Sequence, residues 1–444
     1  MHAVKSRPEQ GDTPFPVTNP QLIPPERYFD RAFFELEKER LWYRTWQMAC
    51  RLEEIPKPND FVEYEIVGQS ILVVRQGDGS VKVFYNACRH RATQLARGSG
   101  TFGGGKIVCP FHGWQWNCDG ENAVIYGKHG FAPECMKTQD VRLGECKSEL
   151  WGGCVWINLD PNAEPLMKSL QPMAGMLDAI DVGKMRVKWW KESILNANWK
   201  MAQEAFMEAY HVMRTHPQLT MGMGSDYPPD FLKVNAFENG HGDSTHRDVD
   251  LVYQNLDIVI AANTLMLSGQ DAMFLDRDLH VLEGLRKSIR DKETVRDAVV
   301  RAFREHAHNA GIPMGDTVEK SIYWWGADAF VFPNVFFLPL YGNALAYRVR
   351  PHNDDPEWCR FEVWSLTTYP ESYPEKRAKL QGRYEVDDTE GWGLIPRQDF
   401  SNIERQQRGV HAKGFPGMRL STEWEAVISN MHLELDRRLA RDSK

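Results

Sequence analysis

Absent from the 444 residues is any run long and apolar enough to cross a bilayer. The most apolar later stretch, Leu251 to Leu267, carries Gln254, Asn255 and Asp257 and falls short of the ~20 apolar residues a spanning helix needs. The N-terminus, Met1 to Pro20, is polar and Pro-containing and lacks the apolar core of a signal peptide. The expectation is a soluble, cytoplasmic protein with no membrane partner. Basic tracts are missing too. Lys and Arg number 53 against 61 Asp and Glu, and a net charge of -8 argues against nucleic acid as a partner. Cysteine is sparse: 8 in a chain of this length make no disulfide framework, so a spaced subset reads as metal ligands and the rest as buried thiols. Repeats and low-complexity tracts are likewise absent.

What is present is ordinary globular material, 42% apolar and 26% charged, in a chain too long for one compact core. Two domains are the natural expectation. A Pro-rich arm, Pro14 to Pro25, precedes one or two amphipathic helices carrying Phe33, Phe34, Leu36, Leu41 and Trp42. Strand-like runs Ile71 to Val74 and Val81 to Tyr85 flank Gly77-Asp78-Gly79-Ser80, a hairpin signal. Another strand, Cys154 to Leu159, stops at Asp160-Pro161. The divisions expected are therefore an arm with helices over 1–45, a β domain over 46–161 and a larger domain over 162–444. In the last, helical patterns occupy Asn198 to His216 and Asp291 to His306, and strand-like runs Ala329 to Leu338, Ala344 to Val349 and Phe361 to Thr368. A final helix, Thr422 to Ala440, bears one apolar stripe, and Thr422 with Glu425 fits a capping box. A sheet wrapped around a long helix is the architecture these patterns suggest.

Chemistry concentrates in two places. Cys88-Arg89-His90 follows the hairpin, and Cys109-Pro110-Phe111-His112 comes after 18 intervening residues, amid glycines that permit tight ligand loops. Zinc would take such a Cys₂His₂ set as one closed tetrahedron. A [2Fe–2S] centre would divide it, two thiolates on one iron and two imidazoles on the other. Zinc fingers usually pair Cys with Cys and His with His; here each pair is mixed, and Gly113-Trp114-Gln115-Trp116 follows at once. Cys50, Cys118, Cys135, Cys146, Cys154 and Cys359 read as small buried hydrophobes, and His129, His280 and His432 as surface or satisfied core residues.

The second place is Asn198-Trp199-Lys200 through His211 to His216-Pro217. On a helix Glu204, Glu208 and His211 share one face. His216 would lie about 140° around from His211, so the imidazoles converge only if the helix ends between them, as Pro217 favours. Two histidines leave a mononuclear iron site short of one anion, and any Asp could complete it.

These two constellations, in this order, resemble those of Rieske non-haem iron aromatic-ring-hydroxylating oxygenases, terminal oxygenase alpha subunits, from about Phe33 to Leu439. The resemblance implies an α+β chain: an all-β Rieske domain plus a larger helix-grip, START-like catalytic domain. It implies Cys88, His90, Cys109 and His112 on the [2Fe–2S] cluster, with Trp114 in the cluster environment. His211, His216 and the late Asp399, in Gln398-Asp399, would hold mononuclear Fe(II). Glu208 would bridge this iron to the Rieske centre of a neighbouring subunit, although the family usually has Asp there; Glu204 stands where many relatives have Asn. A head-to-tail ring, commonly a trimer, would follow, and a small β subunit is left open. No Gly-rich dinucleotide fingerprint follows a strand here, so NAD(P)H would be handled by a separate ferredoxin or reductase.

The expected activity is hydroxylation with O₂, most simply cis-dihydroxylation of an apolar aromatic or polycyclic substrate. Monooxygenation and oxidative O- or N-demethylation use the same metals. A rival of another class is a zinc-stabilised, non-enzymatic ligand-binding protein. Met201, Glu204, Phe206, Met207, Met213 and the run Leu251 to Leu267 are the expected pocket residues.

Overall fold

The computed structural model describes residues 13–220, 232–314, 317–322 and 328–440, which leaves the first twelve residues of the arm and the Leu251 side chain outside it. Two compact units emerge: residues 42–166 with 374–379, and residues 1–41, 167–373 and 380–444.

Three antiparallel sheets build the first unit. Strands β1 (Gln47–Arg51), β2 (Asp60–Ile66), β3 (Gln69–Arg75), β4 (Val81–Tyr85) and β5 (Ser99–Thr101) come first in sequence, then β6 (Lys106–Val108), β7 (Gln115–Asn117) and β8 (Asn122–Val124), then β9 (Lys147–Trp151) and β10 (Cys154–Asn158). The sheet orders are β4-β3-β2-β5, β6-β7-β8 and β9-β10-β1. The β3–β4 hairpin turns at Gly79, whose φ of +85° only glycine adopts freely, and Asp78 Oδ1 accepts from Ser80 N at 2.9 Å. Residues 42–45 belong here and not to the arm, as does the late segment 374–379, which sequence placed in the second domain. Arg377 ties that segment down by donating to the carbonyls of Glu54 (2.8 Å), Gly100 (2.9 Å) and Phe61 (3.2 Å).

The second unit carries β11 (Arg186–Leu195), β12 (Leu232–Ala236), β13 (Gly242–His246), β14 (Ala329–Val331), β15 (Val335–Leu340), β16 (Asn343–His352), β17 (Asp355–Thr367) and β18 (Gly382–Arg383). Their order is β12-β13-β14-β15-β16-β17-β11-β18, antiparallel except for the last pair. Strands β14 to β17 are almost wholly buried, so both faces are covered. On one face Glu362 takes hydrogen bonds from Arg348 (2.7 and 2.8 Å) and Arg350 (3.1 Å). Desolvation works against that carboxylate, but the two guanidinium charges hold it down to about 2. The other face presents Tyr347 and Phe361, and Phe400 of the helix Leu394–Gly409 meets Phe361 edge to face at 5.2 Å.

Two sequence expectations need correction. The single helix expected over Asn198 to His216 is broken into α1 (Trp199–Glu204) and α2 (Val212–Thr215). The Glu208 carboxylate accepts from the His211 backbone N–H at 2.9 Å and displaces the helical bond that group would make. The last helix begins at Ala426, not at Thr422: Ser421 Oγ accepts from the N–H groups of Glu423 and Trp424, and no Thr422 capping box forms. Of its expected stripe Val427, Ile428, Met431, Leu435 and Leu439 are buried, whereas Trp424 lies ahead of the helix and is half-buried.

Candidate functional site

In the first unit, two loops with the same backbone plan carry the Cys–His pairs. Cys88 N donates to Thr93 O (2.9 Å) and Ala92 N to Cys88 O (2.8 Å); Cys109 N donates to Trp114 O (2.8 Å) and Gly113 N to Cys109 O (3.1 Å). The fifth residue of each loop is left-handed, Ala92 at φ 59° and Gly113 at φ 69°. For alanine that conformation costs about 1–2 kcal/mol, which a packed surrounding must offset. Each loop also aims amides at its own sulfur. The amides of His90 and Arg91 favour the thiolate at Cys88, and those of Phe111 and His112 favour it at Cys109, each against the burial that opposes it.

The His90 and His112 rings lie 4.7 Å apart. Trp114 stacks on His90 at 5.0 Å and 7°, and His112 Nε2 faces the Arg91 guanidinium at 3.0 Å. His90 Nδ1 is buried without a hydrogen-bond partner. A buried polar atom without a partner is costly, and such an imidazole nitrogen on a loop that also carries a cysteine suits a soft metal centre. The residues present fit a [2Fe–2S] group. Around them Leu72, Phe84, Ile107 and Trp116 form a dry core. Of the remaining six cysteines five are buried as expected, but Cys135 is exposed.

In the second unit, α2 lies between His211 and His216, and the helix stops at His216 (φ −122°, ψ 59°) ahead of Pro217. The stop lets the rings converge, with centroids 5.4 Å apart. Asp399, in the second turn of α3 (Leu394–Gly409), reaches both: His216 Nε2 at 2.9 Å and His211 Nε2 at 3.7 Å. One donor atom from each of the three falls within 4.8 Å of the others. The outer ring nitrogens are occupied. His211 Nδ1 binds Glu208 Oε1 at 2.8 Å, and His216 Nδ1 binds Gln398 Oε1 at 2.9 Å, itself held by Gln218 Nε2 at 2.8 Å. Both acceptors place the ring proton on Nδ1 and leave the Nε2 lone pair facing Asp399. Burial disfavours a charged His211, yet the Glu208 and Asp399 carboxylates push it up to about 9. A site that recruits a proton between two carboxylates has room for a divalent cation's charge, so this trio also fits its metal.

Beside the trio opens a cavity walled by Phe206, Phe274, Tyr347, Met266, Leu338 and Ile395. A close helix approach shapes its end. Gly393, just before α3, sits against the carbonyl of Gly269 so tightly that a Cβ would lie 2.1 Å from that oxygen. This brings Ile395 beside Gln270 on the cavity wall.

A family model described as "Ring hydroxylating alpha subunit (catalytic domain)" matches residues 180–441, and "Rieske [2Fe-2S] domain" matches residues 45–129. The chain belongs to the Rieske ring-hydroxylating oxygenase alpha subunits. The Rieske domain of these proteins carries a [2Fe–2S] cluster and the catalytic domain a non-haem iron. Biphenyl 2,3-dioxygenase subunit alpha of Rhodococcus jostii (strain RHA1) is 30% identical over 412 residues, 89% of this chain and 80% of that protein. The carnitine monooxygenase oxygenase subunit of Escherichia coli (strain K12) is 33% identical over 204 residues, 45% of this chain. The chain spans only 54% of that relative's length. The solved quaternary ammonium Rieske monooxygenase CntA with L-carnitine superposes at TM-score 0.66 (18% identity, 98% of this chain and 99% of that one). Naphthalene 1,2-dioxygenase from Rhodococcus sp. with indole superposes at 0.64 (18% identity, 96% of each). At these identities the structures speak for the fold alone.

Within this oxygenase-family fold the expected pocket residues divide. Phe206 lines the cavity, as do Ala262 and Met266 from the run Leu251 to Leu267. Met201, Glu204, Met207 and Met213 are not among the residues that line it. Glu204 points into a buried cluster, with Tyr28 Oη at 2.9 Å and His432 Nε2 at 2.8 Å. Burial raises the Glu204 carboxyl to about 7, though the Tyr28 hydroxyl and the Lys200 charge oppose it. Sequence reasoning missed Gln398 as the partner of His216, and it missed Asp328 on the cavity wall. The first had a signal, since it directly precedes Asp399; the second had none.

Proposed function

We propose that this chain is the terminal oxygenase component of a Rieske system. It takes electrons from a separate ferredoxin or reductase and uses O₂ to hydroxylate an organic substrate with a large apolar body. The observation that carries the reading is the convergence of His211, His216 and Asp399 on one point beside an apolar cavity. In this reading the three would hold Fe(II), a set of two histidines and one carboxylate of the kind that serves O₂-activating iron. Cys88, Cys109, His90 and His112 hold the cluster. When bound, the cluster supplies one-electron transfer and the mononuclear iron supplies O₂ activation.

The chain's own contribution is placement. Glu208 and Gln398 fix both histidines in the Nδ1–H form and keep each Nε2 on the ligand side. Phe206, Tyr347, Phe274 and Ile395 exclude water and orient an apolar ring against the trio. Glu208, in contact with His211, is the bridge toward the Rieske centre of a neighbouring subunit. That role requires a head-to-tail ring, which we read as a homotrimer. The likeness to biphenyl dioxygenase over 89% of the chain supports cis-dihydroxylation of an aromatic substrate. The carnitine monooxygenase likeness favours a second reading, insertion of a single oxygen atom.

Iron and acid-labile sulfide analysis of anaerobically prepared protein tests the metal set: about three irons and two sulfides per chain are expected. Zinc without sulfide would sink the oxygenase reading. Turnover under isotopically labelled O₂ separates the two reactions, with two labelled oxygens in the product for dihydroxylation and one for monooxygenation.

A further inference from the structure

The cavity wall is apolar except at a few points, and those points share a character. Asp328, immediately before β14, is 6% exposed and lines the cavity. Its Oδ1 is held by the Ser244 hydroxyl, and its Oδ2 is buried with no hydrogen-bond partner among the described residues. Gln270, on the same wall, has an Oε1 in the same condition, although its amide can present either end. Neither Lys nor Arg is among the described residues that line the cavity, whereas Glu208 and Asp399 are. Behind Asp328 stands Asp243, a second buried carboxyl whose Oδ2 also lacks a partner. The cavity thus has aromatic walls and, at Asp328, an acidic point with an acceptor oxygen that is buried in the wall and unpartnered among the described residues.

An isolated buried carboxylate oxygen is costly, and a ligand that fills it recovers that cost on binding. Three ligand chemistries compete. A carboxylate or sulfonate meets no Lys or Arg among the described lining residues and is repelled by Asp328. A neutral hydrocarbon fills the apolar part but leaves Oδ2 unpaired. A quaternary ammonium supplies charge without an N–H. A protonated amine supplies both, with a charge-assisted hydrogen bond to Oδ2 and attraction to the faces of Phe206 and Tyr347, whose rings lie 4.6 Å apart.

We infer that the substrate carries a protonated amine on an apolar body and that Asp328 is the residue that selects it. This rests on the oxygenase reading of the cavity and narrows it. Desolvation, then the Ser244 hydrogen bond working the other way and the Asp243 charge, leave the Asp328 carboxyl at about 7. An incoming cation holds it ionised.

The test is binding to the metal-loaded protein without oxygen, by calorimetric titration with three probes of similar bulk: 2-phenylethylamine, phenyltrimethylammonium and propylbenzene. The amine is expected to bind on the order of tenfold or more tighter than propylbenzene, the increment of one charge-assisted hydrogen bond. Asp328→Asn should remove most of that preference while propylbenzene binds as before. Phenyltrimethylammonium should fall between the two. A wild-type protein that prefers or equals propylbenzene overturns the proposal without any variant having to fold, as does an Asp328→Asn protein that keeps the preference. Quaternary and protonated probes binding equally would overturn the N–H assignment. Iron and sulfide content is read on the same samples, so failure of the oxygenase reading shows there and not in the preference.

Discussion

Replacing Gln398 by Leu isolates what one hydrogen bond does for a metal site. Gln398 Oε1 accepts from His216 Nδ1 at 2.9 Å, and His216 is 2% exposed, so no water can take the place of the lost acceptor. The variant leaves an N–H buried and unpaired at a cost of about 1–3 kcal/mol and frees the ring to change tautomer or rotate. Loss of such an outer partner typically weakens metal affinity by about 10–100-fold, which is about 1.4–2.7 kcal/mol. The assay is iron retained against graded chelator under anaerobic conditions, with the visible absorbance of the cluster in the other unit as an internal reference. Mononuclear iron should leave at about 10–100-fold lower chelator concentration while cluster absorbance stays constant. Gln398→Glu, which keeps an acceptor oxygen in place, should retain most of the affinity. If the Leu variant holds iron as tightly as the wild type, His216 is not oriented by Gln398 and the ligand assignment loses its support.

Three further outcomes are expected. His211→Ala should abolish turnover and leave cluster colour intact; retained turnover would remove His211 from the iron. Cys109→Ser should lose the cluster absorbance and its sulfide while binding mononuclear iron normally, and a coloured variant would point to another ligand. Glu204→Gln tests the buried cluster around Tyr28 and His432. Glu204 is raised from 4.5 to about 7 in the folded chain, so the folded state binds the extra proton, and the stability it contributes is present below pH 4.5 and lost as pH rises through 7. His432, held neutral first by burial and then by the Arg27 and Lys200 charges, has the opposite sign: its share is present above 6.5 and lost on acidification. The two oppose each other in the wild type between 4.5 and 6.5, and the Gln variant uncovers the His432 term. Its thermal midpoint should therefore fall progressively below wild type as pH drops from 8 to 5, and parallel curves would refute the cancellation.

What the sequence could express is local. The Cys88-x-His90 and Cys109-x-x-His112 spacings describe loops whose hydrogen bonds close within six residues, so the residues that meet there are readable from spacing and glycine content alone. The same holds for the β3–β4 hairpin and for the stop at His216-Pro217. Errors arise where a side chain competes with the backbone at short range. Glu208 is expected on one helical face with Glu204, but the helix ends at Glu204, and the Glu208 carboxylate instead takes the His211 amide. Glu204 then faces Tyr28 and His432 across separations of 176 and 228 residues, which no periodicity encodes. The cavity lies further still from legibility. Asp328 enters the proposal because Ser244 claims one of its oxygens and none of the described residues claims the other, on a wall that also draws on β15, β16 and the helix ending at Gln270. The selection proposed for Asp328 thus depends on an unpartnered oxygen that only the folded chain brings to the cavity, while the metal-binding pattern is written in short-range spacing; only the second can be read before the chain is folded.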